Sequence, residues 1–235
     1  MRQGNVGHQS VFVVLAWLVA IGTAAAAIST AEAKRLQSAA EVVRALRDLP
    51  DKGIPDKFWD RAECVIVIPG VKKAALGIGG EFGRGVMNCR NGARWNAPLF
   101  MQLAKGSWGL QLGAAEIDLV LLVMNREGGE KLLNNKVSLG VGASVAAGPV
   151  GRAADAATDA QLHAEILSYS RARGVFAGID ISGGALSPDK DANTDVYGPD
   201  VDAKAIVFGD VPPPHEASPL LSELSRETAA TTGVR

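Results

Sequence analysis

Nucleophilic hydrolysis needs a nucleophile, a base within hydrogen-bond reach and donors for an oxyanion. The segment nearest to that chemistry is Gly142-Ala143-Ser144-Val145-Ala146. It lacks the second glycine of a nucleophile elbow, and it lies in a long apolar stretch. Its base would have to be His163 or His215, the only histidines beyond residue 27. A strand of small residues packed closely on a neighbour explains Ser144 better. Asp118 stands near Glu116, just before an apolar run. Paired carboxylates can move protons, but no substrate-anchoring group is close, and a structural hydrogen-bond acceptor is the simpler expectation. Asp189-Lys190-Asp191-Ala192-Asn193-Thr194-Asp195 alternates oxygen ligands as a calcium loop does, with Asp200 in the twelfth place. Such loops need glycine sixth and a bidentate glutamate twelfth. Thr194 and Asp200 stand there instead, so a solvated acidic turn is expected in preference to a weak calcium site. Gly77-Ile78-Gly79 has Phe82 where a phosphate cradle puts its third glycine. Two distant cysteines and two distant histidines do not make a zinc cluster. We therefore expect no catalytic residue, no cofactor and no metal.

What remains is surface chemistry, and the first question is which compartment the surface meets. Arg2 is followed by an uncharged run, SVFVVLAWLVAIG over residues 10–22, and then by small residues up to Ala27. An apolar run of that length before an Ala-x-Ala site reads as a secretory signal, cleaved after Ala27 or near Ala33. An uncleaved membrane anchor is the alternative. No cysteine flanks the site, which argues against a lipoprotein anchor. Export to a periplasmic or outer-envelope location is expected. Cys64 and Cys89 are the only cysteines. In an oxidising compartment an even count favours a disulfide, closing a loop worth about 3 kcal/mol. Two buried free thiols are the alternative.

The 235 residues carry 24 Lys and Arg against 25 Asp and Glu. Removing residues 1–27 takes away Arg2 and moves the net charge from −1 to −2. Nucleic-acid binding needs a strong basic footprint, so no nucleic-acid partner is expected. Attraction to an anionic surface must come from a local patch.

The elements that would carry such a patch follow from periodicity. Residues 31–49 place Leu36, Ala40, Val43 and Leu46 on one face of a helix, capped by Thr30 and stopped by Pro50. Residues 57–62 suggest a short helical turn. CVIVI at 64–68 reads as a buried strand ended by Pro69-Gly70. Residues 72–85 are glycine-rich and suggest one or two sharply bent strands. Arg90-Asn91-Gly92 signals a turn. Strands are expected at 94–103 and 108–111, with Lys105-Gly106-Ser107 between them. The continuous run after Glu116 predicts a strand covered on both faces. Residues 126–134 suggest a short helix or loop. Strands are expected at 174–182 and 205–208, an acidic loop at 187–202, and a terminal helix at 218–225. Glycine is abundant, at 27 residues, and aromatics make up 5%. Together these predict one α+β domain: a curved, mostly antiparallel, glycine-rich sheet or barrel-like core with helices at both ends. The divisions are a signal at 1–27, one domain at 28–225 and a flexible tail at 226–235.

Several segments in order resemble a known family. They are AECVIVIPGVKK at 62–73, the glycines of 77–85, and Arg94-Trp95-Asn96-Ala97-Pro98. Next come GSWGLQLG at 106–113, the stretch from Asp118 to Asn125, and AAGPVGR at 146–152. YSRARGVFAG at 169–178 and Asn193 to Tyr197-Gly198 complete the set. The pattern resembles the SYLF-domain family, which includes yeast actin-binding and animal phosphoinositide-binding members. Asn96 stands where that family usually has serine, and the cysteine pair is similar to its bacterial branch. The resemblance implies lipid binding, partly through a basic amphipathic N-terminal segment, and no known catalysis. An exported chain would not meet its own cell's actin.

The expectation is then a non-catalytic protein of the cell envelope that associates peripherally with anionic phospholipid. Its lipid-binding candidates are Lys34, Arg35, Arg44 and Arg47 on the first helix, joined by Lys72 and Lys73 after the first strand. Basic residues near a membrane contribute about 1 kcal/mol each, screened by salt. The helix has an Ala- and Leu-based apolar face without Trp or Phe, so it could equally pack on the domain's own core. The alternative function is a structural or protein-interaction domain of the envelope without direct lipid affinity.

Overall fold

The computed structural model describes residues 28–48, 53–76, 78–108, 115–134, 136–150, 161, 163–172 and 175–226. The expected signal segment and all but Arg226 of the expected tail lie outside them.

Chain order begins with α1 (Thr30–Arg47), α2 (Asp56–Arg61), β1 (Cys64–Leu76), β2 (Ile78–Asn91), β3 (Arg94–Trp95) and β4 (Leu99–Trp108). It continues with β5 (Ala115–Val123), α3 (Arg126–Lys131), β6 (Val137–Ser138), β7 (Val145–Ala147), β8 (Ile166–Ala172) and β9 (Val175–Gly178). Then come β10 (Ala185–Pro188), α4 (Lys190–Tyr197), α5 (Ala203–Phe208), a 3-10 turn (His215–Ala217) and α6 (Ser218–Ser225). The strands form one curled sheet in the order β6-β10-β4-β2-β1-β5-β8-β7, with β3 paired to β2 and β9 to β8. Pairing is antiparallel except between β7 and β8. This is the expected α+β domain.

The sheet separates two cores. Alternation along a strand sends successive side chains to opposite faces. Val65 and Val67 of β1, Val86 of β2, and Val120 and Leu122 of β5 join Leu36, Val43 and Leu46 of α1 and Leu220 of α6. Ile66, Ile68, Met87, Leu119 and Leu121 join Ile206 and Val207 of α5 on the other face. The continuous apolar run in β5 is thus covered on both sides, as a strand without alternation must be.

Several local expectations are corrected. Ser29, not Thr30, caps α1, its hydroxyl accepting from the Glu32 amide. Pro69-Gly70 does not end β1. Gly70 adopts φ +58°, and the register slips between Val67 and Lys72 against β2. The proline and glycine therefore build a bulge within a long strand. Lys105-Gly106-Ser107 is not a turn but part of β4, paired with Glu81, Gly80 and Gly79. Residues 187–202 are not a loop: they contain α4, capped by Asp189 through the Ala192 amide. Residues 205–208 are helical in α5, not a strand.

Cys64 and Cys89 face each other across β1 and β2 and form a disulfide. Both are fully buried.

Candidate functional site

The six cations of the expected patch do not act alike. Arg35 is buried at 8% exposure; its guanidinium donates to Asp189 at 3.0 Å and lies 5.2 Å from the Phe100 ring centre. It ties α1 to the start of α4, so it is not a surface charge. Arg47 sits 4.2 Å from the Trp59 ring centre and donates to the Leu224 carbonyl at 3.3 Å. Burial pushes its pKa down to about 10, against the attraction of Asp60. It joins α1 to α2 and α6. Arg44 is half-exposed and donates to Glu223 of α6 at 2.7 Å. Lys34 and Lys72 are exposed. Lys73 lies in β1 opposite Glu81.

The structure adds a cation that sequence reading missed. Arg84 of β2 is 56% exposed at its side chain and reaches Asp189 at 3.8 Å. With Lys34, Arg35, Ser38, Ala31 and Pro69 it lines a cleft of about 240 Å³ between the first turns of α1 and the β1 bulge. The bulge matters, because it brings Pro69 to the cleft. Asp189 and Glu32 lie behind Arg35 and neutralise it. The outward charge of the cleft is therefore Lys34 and the outer side of Arg84, with Ser38 also in its lining. Alternation would have flagged Arg84, since it shares its face with Val86, whose side chain packs under α1.

A broader groove of about 680 Å³ runs along the outer side of α1 toward Glu216 and Pro219. Its lining sets Lys34 and Arg44 against Glu41 and Glu216. That balance gives it no preference for an anion.

The catalytic candidates resolve into structural contacts. The Ser144 amide and hydroxyl donate to the Glu165 carboxylate at 2.8 and 3.2 Å, and the Glu165 amide donates back to the hydroxyl at 2.9 Å. The serine's partner is thus a carboxylate already held by Lys131 at 2.7 Å. That contact, then the Ser144 amide, holds the Glu165 carboxyl below its ordinary pKa while burial opposes. Asp118 accepts from the Gly70 amide at 3.0 Å and from Arg171 at 2.7 Å. It is the structural acceptor expected. Asp189, expected in a solvated turn, is only 6% exposed and is committed to the α4 cap and to Arg35. Among the described residues no group of three or more His, Cys, Asp or Glu is placed to hold a metal ion.

The segments that carry the resemblance meet as locks. The Asn193 side chain accepts from the Phe100 amide and donates to the Phe100 carbonyl, both at 2.9 Å. The Tyr197 hydroxyl donates to the Pro98 carbonyl at 2.6 Å, and the Asn96 side-chain amide donates to the Val207 carbonyl at 2.9 Å. The Arg94–Pro98 and Asn193–Gly198 motifs therefore fasten α4 and α5 to β4. Asp118 fastens the Gly70 bulge to Arg171 in the same way. A Cβ at Gly148 would stand 2.0 Å from the Tyr169 ring, so only glycine fits that motif position. Asn96 fills the place where serine is usual with a longer donor that still reaches backbone.

Comparison with known proteins agrees with this assembly. Residues 104–227 match the family described as Ysc84: Las17-binding protein actin regulator. LAS seventeen-binding protein 3 of Saccharomyces cerevisiae is 32% identical over 179 residues, covering 74% of this chain and 39% of that protein. SH3 domain-containing YSC84-like protein 1 of Rattus norvegicus is 31% identical over 204 residues, covering 84% of this chain and 59% of that protein. The chain therefore spans less than two thirds of the length of either relative. Both are named for binding or for an attached domain, not for a reaction. A match over more than half the sequence, on top of motifs that form the locks of the fold, makes this chain a member of the Ysc84, or SYLF-domain, family.

Proposed function

We propose that this chain is a non-catalytic lipid-binding protein of the cell envelope that associates peripherally with anionic phospholipid. The observation that carries this reading is the cleft between α1 and the β1 bulge, where Lys34, Ser38 and Arg84 converge. Two cations and a hydroxyl at the mouth of a small cleft suit a phosphate headgroup. Lys72 is exposed on the same face of the sheet as Arg84, paired with Phe82 two residues farther along β2. Arg35 and Arg47 take no part, because their charges are held inside the fold, and Arg44 is half-exposed but lies outside the cleft, paired with Glu223.

The reading places the protein outside the cytoplasm, with residues 1–27 removed on export. The buried Cys64–Cys89 disulfide supports an oxidising compartment. A second reading, an envelope domain that binds protein without direct lipid affinity, draws on the groove along α1, whose mixed charges suit a polar protein surface.

The test is co-sedimentation of the exported protein, its trimming after Ala27 checked by mass, with neutral and anionic vesicles at low and high salt. Every described element lies beyond residue 27. Binding to anionic vesicles is expected to fade as salt rises. Lys34→Glu with Arg84→Glu is expected to weaken it about tenfold or more. Arg44→Glu should leave it within about twofold. Absence of binding to any vesicle would move the protein-interaction reading to first place.

A further inference from the structure

Beyond the headgroup cleft, three strands run on into an end of different composition. Residues 74–80 and 106–115 contain no charged residue. At the base of this end the register sets a charged collar. Lys73 of β1 pairs with Glu81 of β2, which pairs with Lys105 of β4. Lys72 of β1 pairs with Phe82 on one side and with Glu116 of β5 on the other. With Arg84 beside Phe82 and Lys34 on α1, five cations stand at this base, against Glu81, Glu116, Asp189 beside Arg84 and Asp180 near Lys105.

Past the collar the pairing continues through Ala74, Gly80 and Gly106, and then through Ala75, Gly79 and Ser107. It ends at Leu76, Ile78 and Trp108. Alternation puts Leu76, Ile78 and Trp108 at register positions on the face that carries Phe82. Phe82 is a large apolar residue left 47% exposed. A Cβ at Gly106, on that same face, would meet nothing within 4 Å. Three residue rows at the rise of a strand project about 10 Å beyond the collar. An element lying in a bilayer interface buries its apolar side by about 5–10 Å.

We propose that this uncharged sheet end enters the outer layer of an anionic bilayer, with Phe82, Leu76, Ile78 and Trp108 on the entering face and the collar cations at the headgroups. The inference rests on the lipid reading above and adds the depth and direction of contact. Charge complementarity selects the occupant. An apolar face with a cation on each of its three strands at the rim fits an anionic lipid surface, in which headgroups meet the rim cations and acyl chains meet the face. The start of α1 lines the same cleft as Arg84, so this end of the molecule also receives the chain from residue 28.

The test uses the exported protein with vesicles of equal parts phosphatidylcholine and phosphatidylglycerol, made with plain or with brominated acyl chains. Trp59 and Trp95, 1% and 7% exposed, supply a background away from solvent. Brominated chains are expected to quench the Trp108 emission roughly twofold or more, and Trp108→Phe is expected to remove that quenching. Phe82→Ser is expected to weaken vesicle binding about tenfold. Binding without quenching of Trp108 would overturn the insertion and leave the headgroup cleft standing. No binding would overturn both. A dimer in lipid-free solution that Phe82→Ser dissociates, with vesicle binding unchanged, would assign the face to a second copy of this chain and overturn the proposal.

Discussion

At the Cys64–Cys89 end of the β1–β2 pair, Val65, Ile66, Met87 and Asn88 are 1% exposed or less, and cores press on both faces. At the other end of the same strands Lys72 and Phe82 face solvent, and glycine and alanine take over. The change happens at the Pro69-Gly70 bulge. There the two strands come so close that a Cβ at Gly85 would stand 2.1 Å from the Val67 carbonyl oxygen. A Cβ at Gly106 would meet open space. Glycine therefore does opposite things along one sheet. It permits close approach at the bulge, and it thins the surface at the uncharged end. One end is covered on both faces, and the other is the end proposed to meet the lipid surface.

Mutation should separate the two ends. The largest effect is expected from Phe100→Ala at the covered end. Phe100 is fully buried, its backbone is clamped by Asn193, and Arg35 lies over its ring. Truncating a buried phenylalanine costs about 3–5 kcal/mol, read as a fall in the urea midpoint. A loss below about 1 kcal/mol would mean that α4 and α1 can collapse onto the space, and that the covered end is less rigid than its packing implies.

Removing the disulfide with Cys64→Ala and Cys89→Ala together comes next. The closed loop predicts a loss of about 3 kcal/mol. The sharper part of the prediction is that vesicle binding at a temperature where the variant is folded stays within about twofold, because the bond lies on the far side of the bulge from the collar. Binding that fell in step with stability would join the two ends into one unit.

Much of this division was legible in the sequence. The unbroken apolar run after Glu116 announced a strand with two covered faces, and the glycines of 77–85 announced sharply bent strands. What was misread had competing local signals. AIVF at 205–208 is β-branched enough to suggest a strand, yet Asp202 at its start and Gly209 at its end bracket a helix. That helix sends Ile206 and Val207 into the second core, and burial there overrides propensity. Residues 190–197 hide a helix because their only apolar members are Ala192, Val196 and Tyr197, and the carboxylates drew attention to calcium. The Asp189 cap was the signal that could have found it. At the candidate site, Lys34 and Lys72 were picked by residue type, and both are exposed. Arg35 and Arg47 were misplaced because sequence cannot show which side of an amphipathic helix meets Asp189 or Trp59. Arg84 was missed because only the register puts it beside Lys34.

A smaller effect is expected from acid. Lys131 and Ser144 hold the Glu165 carboxyl below its ordinary value of 4.5. A carboxylate depressed in the folded state binds fewer protons than the unfolded chain does. Its contribution is thus complete above the ordinary value and is lost as pH falls through the folded one. Glu165→Gln should lower the urea midpoint at neutral pH and converge toward the parent protein as pH approaches about 3. A constant gap at all pH values would assign the loss to packing instead of charge.

The smallest expected change in stability is the one that sharpens the contrast most. Phe82→Ser removes a ring that is 47% exposed and lies 5.8 Å from the Arg84 guanidinium carbon. About half of that residue stays in water in the folded chain, so the loss of stability is expected to stay within about 1 kcal/mol. Serine also spares the register, because the Phe82 backbone pairs with Lys72 and Ala104 whatever its side chain. The urea midpoint should therefore hold while vesicle binding weakens about tenfold. A loss of stability of more than about 1 kcal/mol would mean that the ring is packed in solution, and the uncharged end would then belong to the folded body and not to a surface that meets lipid.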